Sequence, residues 1–401
     1  MTDNHQILEE IKAPEAHRLA RALRDETTGG LLLIATSIFA LLWANSMWSH
    51  SYHTFINFSF GPSSIHLHLS VGQWAADFLL AIFFFVIGTE LKHEIVHGSL
   101  ANTRQASVPI VAAVCGMIVA ASIFLIFNHG VFAQKAWGIP ISTDVAFALA
   151  ILAIAGKALP LELRSFLLTV AVVNDLCAII VIAIFYGHGF HLSSFLLATL
   201  VIFIIAVLQY KQVTTPLIFV PLALAAWSFM FQSGIHATIA GVAVGLAMRA
   251  NSDRSGEISP AQNAESFFRP ISAGLCVPLF ALVSIGVTLS GSSFHEMIAD
   301  PLTLGILYGL IIGQPIGVTL GAYLTTKVTN SQLNPALSWA DVAVVGTLAS
   351  IGFTVALLVA EVSFSENETS MNTAKFAIIL TNVIAMAVSV TAIRLRKSRL
   401  T

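Results

Sequence analysis

An all-α polytopic membrane protein with about twelve transmembrane helices is predicted by three features of this 401-residue chain. Hydrophobic residues make up 56% of it and charged residues only 10%, whereas a soluble domain carries roughly 25% charged. Apolar windows of roughly 20 residues, the length that crosses a bilayer, recur from end to end. Once the spans are placed, all but Lys135 and Lys375 of the 19 Lys and Arg fall on one side, the bias that marks a cytoplasmic face.

Residues 1–29 are polar and mixed in charge and lack an apolar h-region. They read as a cytoplasmic N-terminal segment without a cleaved signal peptide. A single transmembrane domain is expected over 30–393, opening with spans at Gly30–Asn45 and Gly72–Leu91. Between these two, at about 46–71, YHTFINFSF, GPSS and IHLHLS alternate polar and apolar residues around a Gly-Pro turn, the pattern of an external β-hairpin. Such a hairpin either pairs edge to edge with a second copy or lies flat on its own subunit. The next spans are Ala106–Phe127, Trp137–Gly156, Arg164–Tyr186, Ser193–Tyr210, Thr215–Phe231 and Gly234–Arg249, several of them short and closely spaced. Ile271–Leu289, Leu302–Thr325, Val342–Val362 and Ala374–Ile393 complete the set, and 394–401 form a basic cytoplasmic tail with Arg394, Arg396, Lys397 and Arg399. Both termini are expected in the cytoplasm.

The formal net charge of −2 and the lack of any other basic run argue against a nucleic-acid partner. Cys115, Cys177 and Cys276 stand singly in apolar stretches, as small buried hydrophobes do. No cofactor motif is present.

Two carboxylates are out of place. Asp144 and Asp175 lie inside apolar spans, where a charge costs at least roughly 2.5–3.5 kcal/mol, so each marks an ion pathway by default. The fourth span has Pro140, Ser142 and Thr143 before Asp144. The eleventh is punctuated by Gly346, Thr347, Ser350, Gly352 and Thr354. Pro removes a backbone donor and Gly weakens a helix. Broken helices at corresponding places in two halves point to a transporter's binding site, and spans three to five and ten to twelve would be inverted repeats. The competing reading is two ordinary kinked helices whose small residues serve close packing.

The segments GTELKHEIVHGSLANTRQA, STDVAFALAILA, VVNDLCAIIVIAIFY, SGIHATIAGV, VPLFALVSIGV, GQPIGVTLGAYL and IGFTVALLVA resemble the NhaA-type sodium/proton antiporters, in order and over nearly the whole chain. The resemblance implies the NhaA-type fold, with spans four and eleven broken and crossing. It also implies a homodimer joined partly by the hairpin, residence in a bacterial inner membrane among its lipids, and Na⁺, Li⁺ and H⁺ as transported ions. Asp175 then matches the shared cation- and proton-binding carboxylate, and Thr143 with Asp144 matches the pair at the break. Asp144 either ligates the cation or compensates the dipole ends of the broken helices. Glu90, Glu94 and Glu265 match residues of a cytoplasmic acidic funnel linked to pH activation, and His236 matches a histidine linked to the pH response. Without the resemblance, His236 reads as a packing residue and Asp77 as a structural or interfacial carboxylate.

The chain departs from many relatives at two matching places. Asn174 precedes Asp175 where they have an aspartate, and Gln314 stands in the tenth span where they have a lysine; in those relatives the two charges are thought to pair. Each change alone would strand a buried charge at about 3–5 kcal/mol. The double replacement therefore reads as compensated, an Asn–Gln hydrogen-bonded pair without charge, with exchange nearer one proton per sodium. His93, Ser266 and Arg269 also differ from relatives, so the pH profile should be the chain's own.

Other classes fit less well. An intramembrane aspartyl protease would need a Gly-x-Gly-Asp sequence, and a rhomboid-like Ser233/His236 pair sits too close along one turn, so no enzyme is expected. Two-proton electrogenic exchange, a sodium-coupled solute symporter and a non-transporting sensor on the same fold are the remaining alternatives.

Overall fold

Backbone amides in hydrocarbon have no water to bond, so a chain this apolar must satisfy them within helices. The computed structural model is built that way, and it describes residues 26–63, 67–156, 159–187, 189–213, 215–252, 258–287, 291–329 and 331–399. Most of the N-terminal segment, with Lys12, Arg18, Arg21 and Arg24, lies outside the described residues, as do Lys157, Arg254 and the hairpin tip.

Helices α1 (Glu26–Ala44) and α2 (Ser49–Asn57) precede strands β1 (Ser59–Phe60) and β2 (Leu69–Ser70). Then come α3 (Val71–Val96), α4 (Thr103–Phe127), two 3₁₀ turns at Phe132–Ala136 and Ile139–Ile141, and α5 (Val145–Ala155). After α6 (Leu161–Phe185) and α7 (Leu192–Tyr210) follow the shorter α8 (Pro216–Gln232) and α9 (Thr238–Ala247). The chain continues through α10 (Pro260–Ser284), α11 (Gly291–Ala299), α12 (Pro301–Val328), α13 (Trp339–Ala349), α14 (Thr354–Ser363) and α15 (Glu368–Lys397). Among the described residues seven helices are long and apolar enough to cross a membrane by themselves, or up to ten spans if each bent pair counts as one. With α8 and α9, every expected span falls on helix. The fourth span bends by 46° between its 3₁₀ turns and α5, and the eleventh by 45° between α13 and α14.

The external connection is less of a hairpin than its alternation suggests. Among the described residues only Ser59 with Ser70 and Phe60 with Leu69 pair, antiparallel, while the YHTFIN arm is helical in α2. Burial explains the change: on α2, Tyr52 and Phe55 are one helical turn apart and both pack against Trp43, at ring separations of 5.4 and 5.8 Å. The Tyr52 hydroxyl donates to the Leu282 carbonyl at 2.7 Å. Phe60 stacks on Trp74 of its own chain at 5.6 Å.

Helices α4 and α12 meet along a stripe of glycines. Gly305, Gly309, Gly313, Gly317 and Gly321 recur every fourth residue on α12 and face α4. A methyl at Gly317 or Gly321 would come within 2.5 Å of the Cys115 carbonyl oxygen or 2.7 Å of that of Val111, so the contact needs the missing side chains. At the far end of the repeat Arg396 clamps α15 to α13. Its Nε and Nη2 donate to the two oxygens of buried Asp341 at 2.7 and 3.1 Å, and Asp341 also accepts from Ser338, the N-cap of α13. Helix α15 runs on through Lys397 and so takes Arg394, Arg396 and Lys397 of the basic segment into its last turn.

Candidate ion site at two crossed helix breaks

Spans four and eleven cross where each loses its helix, at Ser142–Asp144 and Ile351–Phe353. Their unpaired backbone groups satisfy one another. The Asp144 N–H donates to the Ile351 carbonyl at 2.6 Å, and the Thr143 hydroxyl to the Ala349 carbonyl at 2.7 Å. Gly352 has no side chain because the Ser142 carbonyl oxygen occupies the place of its Cβ. We expect Gly352→Ala to destabilise the protein by about 1–3 kcal/mol, as over-packing does, and to slow exchange; thermal unfolding and vesicle transport would measure both.

Asp144, 5% exposed, caps two helices at once. Its Oδ1 accepts from Phe147 N–H of α5 at 3.2 Å, and its Oδ2 from the N–H and hydroxyl of Thr354 at the start of α14, at 3.2 and 2.5 Å. Two helix N-termini, each a partial positive charge, thus converge on one carboxylate. Carbonyls at the C-terminal end of α13 are satisfied from α15. Asn382 donates to the Gly352 carbonyl at 3.1 Å and Ser389 to the Thr347 carbonyl at 2.9 Å. Sequence reasoning missed Asn382 and Ser389; their signal was two polar residues seven apart, hence on one face, of a largely apolar span.

Asp175 is the opposite case. On α6 it is 2% exposed, its Oδ1 has no hydrogen-bond partner, and Asp144 and Glu90 are the charges that act on it. The adjacent Asn174 donates through Nδ2 to the Thr143 hydroxyl at 2.8 Å. Gln314 donates through Nε2 to the Pro140 and Ile141 carbonyls, both at 3.3 Å. The expected direct Asn–Gln pair is therefore not formed. Each amide instead ties its own helix to the broken fourth span, where free carbonyls and a hydroxyl take up the amide N–H groups. The acceptor oxygens Asn174 Oδ1 and Gln314 Oε1 are left buried without donors, like Asp175 Oδ1. Hard oxygen donors of this kind suit small cations. No group of three His, Cys, Asp or Glu side chains that could hold a metal occurs among the described residues.

The remaining candidates separate into two places. Arg269 on α10 joins Glu265, at 2.7 Å, to Glu90 on α3, at 3.2 Å, and Glu94 lies one turn beyond Glu90. His236 is elsewhere. Its Nδ1 is 3.7 Å from Asp77 Oδ1 and 3.2 Å from the Thr238 hydroxyl. Asp77 sits near the start of α3 and Glu90 near its end, about 20 Å away at 1.5 Å per residue. The structure thus couples His236 to Asp77 and not to the three glutamates.

Residues 20–393 match the family model described as Na⁺/H⁺ antiporter 1. The chain is 43% identical over 397 residues to the Na⁺/H⁺ antiporter NhaA of Streptomyces antibioticus, covering 98% of this chain and 82% of that protein. It is 44% identical over 393 residues to the Na⁺/H⁺ antiporter NhaA of Thermobifida fusca, covering 95% of each. A third relative, Na⁺/H⁺ antiporter NhaA 1 of Kineococcus radiotolerans, is 46% identical over 364 residues, 88% of this chain and 84% of its own.

Proposed function

The chain belongs to the NhaA family of Na⁺/H⁺ antiporters, and from that membership we propose that it expels cytoplasmic Na⁺ or Li⁺ in exchange for external H⁺ by competition at Asp175. It is a multi-pass membrane transporter and not an enzyme. The observation that carries the reading is the Asp175 carboxylate, buried with an oxygen that no donor satisfies. Burial favours the neutral acid, and a cation at the same oxygen favours the charged form. Proton and Na⁺ are therefore alternatives for one site. A carrier that reorients only when either is bound exchanges them without covalent chemistry.

Asp144 acts as the compensator of two helix ends and not as a first ligand. Both of its oxygens already accept from N–H or O–H donors, and protonation would set a hydrogen against one of them. Thr143, Asn174 and Gln314 supply neutral oxygens around the break. With no lysine at the Gln314 position and Asp144 committed as a charged cap, Asp175 is the one carboxylate that exchanges its proton. The cycle then moves one H⁺ per Na⁺ and no net charge. In a membrane potential of 100 mV each uncompensated charge would contribute roughly 2.3 kcal/mol, a drive that this carrier forgoes. In proteoliposomes clamped with K⁺ and valinomycin, exchange should be indifferent to voltage. Acceleration at interior-negative potential would instead establish electrogenic two-proton exchange.

The same reading places the protein in a bacterial inner membrane with both termini cytoplasmic, as a homodimer serving sodium and pH homeostasis. Glu90, Glu94 and Glu265 form the cytoplasmic entrance, whose negative field gathers cations. His236 with Asp77 belongs to the external side.

A further inference from the structure

Between α4, the 3₁₀ turn Phe132–Ala136 and α6 lies a groove of about 860 Å³, walled by Val114, Ile118 and Leu125 on one side and Val181 on the other. Ile118 and Phe132 are 59% and 57% exposed along it. From Val114 to Leu125 the groove follows α4 for about 16 Å at 1.5 Å per residue, close to half of a roughly 30 Å hydrocarbon core. Its length is that of one bilayer leaflet. At its mouth stands Lys135, whose Nζ lies 4.0 Å from the centre of the Phe132 ring and 5.6 Å from that of Phe364. No carboxylate pairs with it among the described residues. Beside it, the Gln134 side-chain Oε1 accepts from the Gly130 N–H at 3.1 Å, which leaves the Nε2 hydrogens as donors for a ligand. Trp137, also in the lining, is a side chain typical of the interface between headgroups and acyl chains.

We propose that this groove is a site for an anionic phospholipid, with one acyl chain along α4 and its phosphate on Lys135 and Gln134. A cation at headgroup depth with no carboxylate within ion-pair distance among the described residues favours a net negative headgroup over a zwitterionic one, which brings its own cation to the same place. The chain would pack behind the ion site, since Ile141, next to the break, and Cys177, two residues beyond Asp175, also line the groove.

The test is native mass spectrometry of the full-length protein titrated with phosphatidylglycerol or phosphatidylcholine carrying the same acyl chains. Wild type should retain phosphatidylglycerol about fivefold better, the factor of one Lys against an anionic surface. Lys135→Gln should lose that preference, Lys135→Arg should keep it, and Ile118→Trp, which fills the groove, should lose both lipids. These positions are exposed, so folding is not at stake, and unchanged thermal unfolding would verify it. Equal retention of the two lipids by wild type, a preference that survives in Lys135→Gln, or full retention by Ile118→Trp would each overturn the proposal. The readout is binding, so its failure would leave the ion-exchange reading untouched.

Discussion

Asp175→Asn should abolish sodium-dependent proton movement in everted vesicles while leaving thermal unfolding unchanged or raised. The two halves of this result come from the same geometry. An aspartate that made hydrogen bonds would lose some of them on conversion to Asn, and the fold would weaken. Asp175 makes none that the structure records, and its Oδ1 is buried without a donor. Asn has nearly the same shape and carries no charge to desolvate, so packing is conserved and the burial cost falls. What disappears is the only property the carboxylate has here, the ability to hold a proton or a cation. Transport at more than background in this variant would remove Asp175 from the proposed role. A clear loss of stability would reveal a structural partner for it.

For Asp144→Ala the expectation is reversed, with stability lost first. The substitution removes an N-cap from α5 and another from α14, each worth about 1 kcal/mol, and withdraws a charge from two positive helix ends, worth up to about 2 kcal/mol in partly buried geometry. It also strands the Phe147 and Thr354 N–H groups away from water. A destabilisation of about 2–4 kcal/mol follows. Asp144→Asn should fall between, since its one acceptor oxygen can serve only one of the two helices well. Thermal unfolding of the purified variants beside Asp175→Asn checks the ranking. If Asp144→Ala unfolds like wild type, the carboxylate is a ligand and not a cap.

The sequence made the breaks legible because breaking a helix is a local matter: Pro140 lacks a donor and Gly352 lacks a side chain, although Gly346 turns out to lie within α13, packed against Pro315. It made Asp144 and Asp175 conspicuous for a similar reason, as charges in apolar surroundings. Pairing was another matter. That Asn174 would bond Thr143, and Gln314 the carbonyls beside it, depends on which groups the crossing leaves free, and no spacing encodes that. The meeting of His236 with Asp77 joins residues far apart in the chain and is equally hidden. The external segment pairs as a hairpin over a shorter length than its alternation suggests, because α2 and a strand share the same aromatic residues. Burial of Tyr52 against α10, a tertiary contact, decided between them.

The crossed breaks also carry a consequence for how the protein is made. Asp144 and Thr354 are 210 residues apart, and a ribosome adding about 5–20 residues per second needs roughly 10–40 s to cover that distance. Over that interval the partners of the break are synthesised one after another, those on the eleventh span last. Asn174, only 31 residues beyond Thr143, is the first of them to emerge. Its amide can reach the Thr143 hydroxyl while the second half of the chain is still to come, so the bond that braces the break in the finished protein is also the earliest one open to it during synthesis.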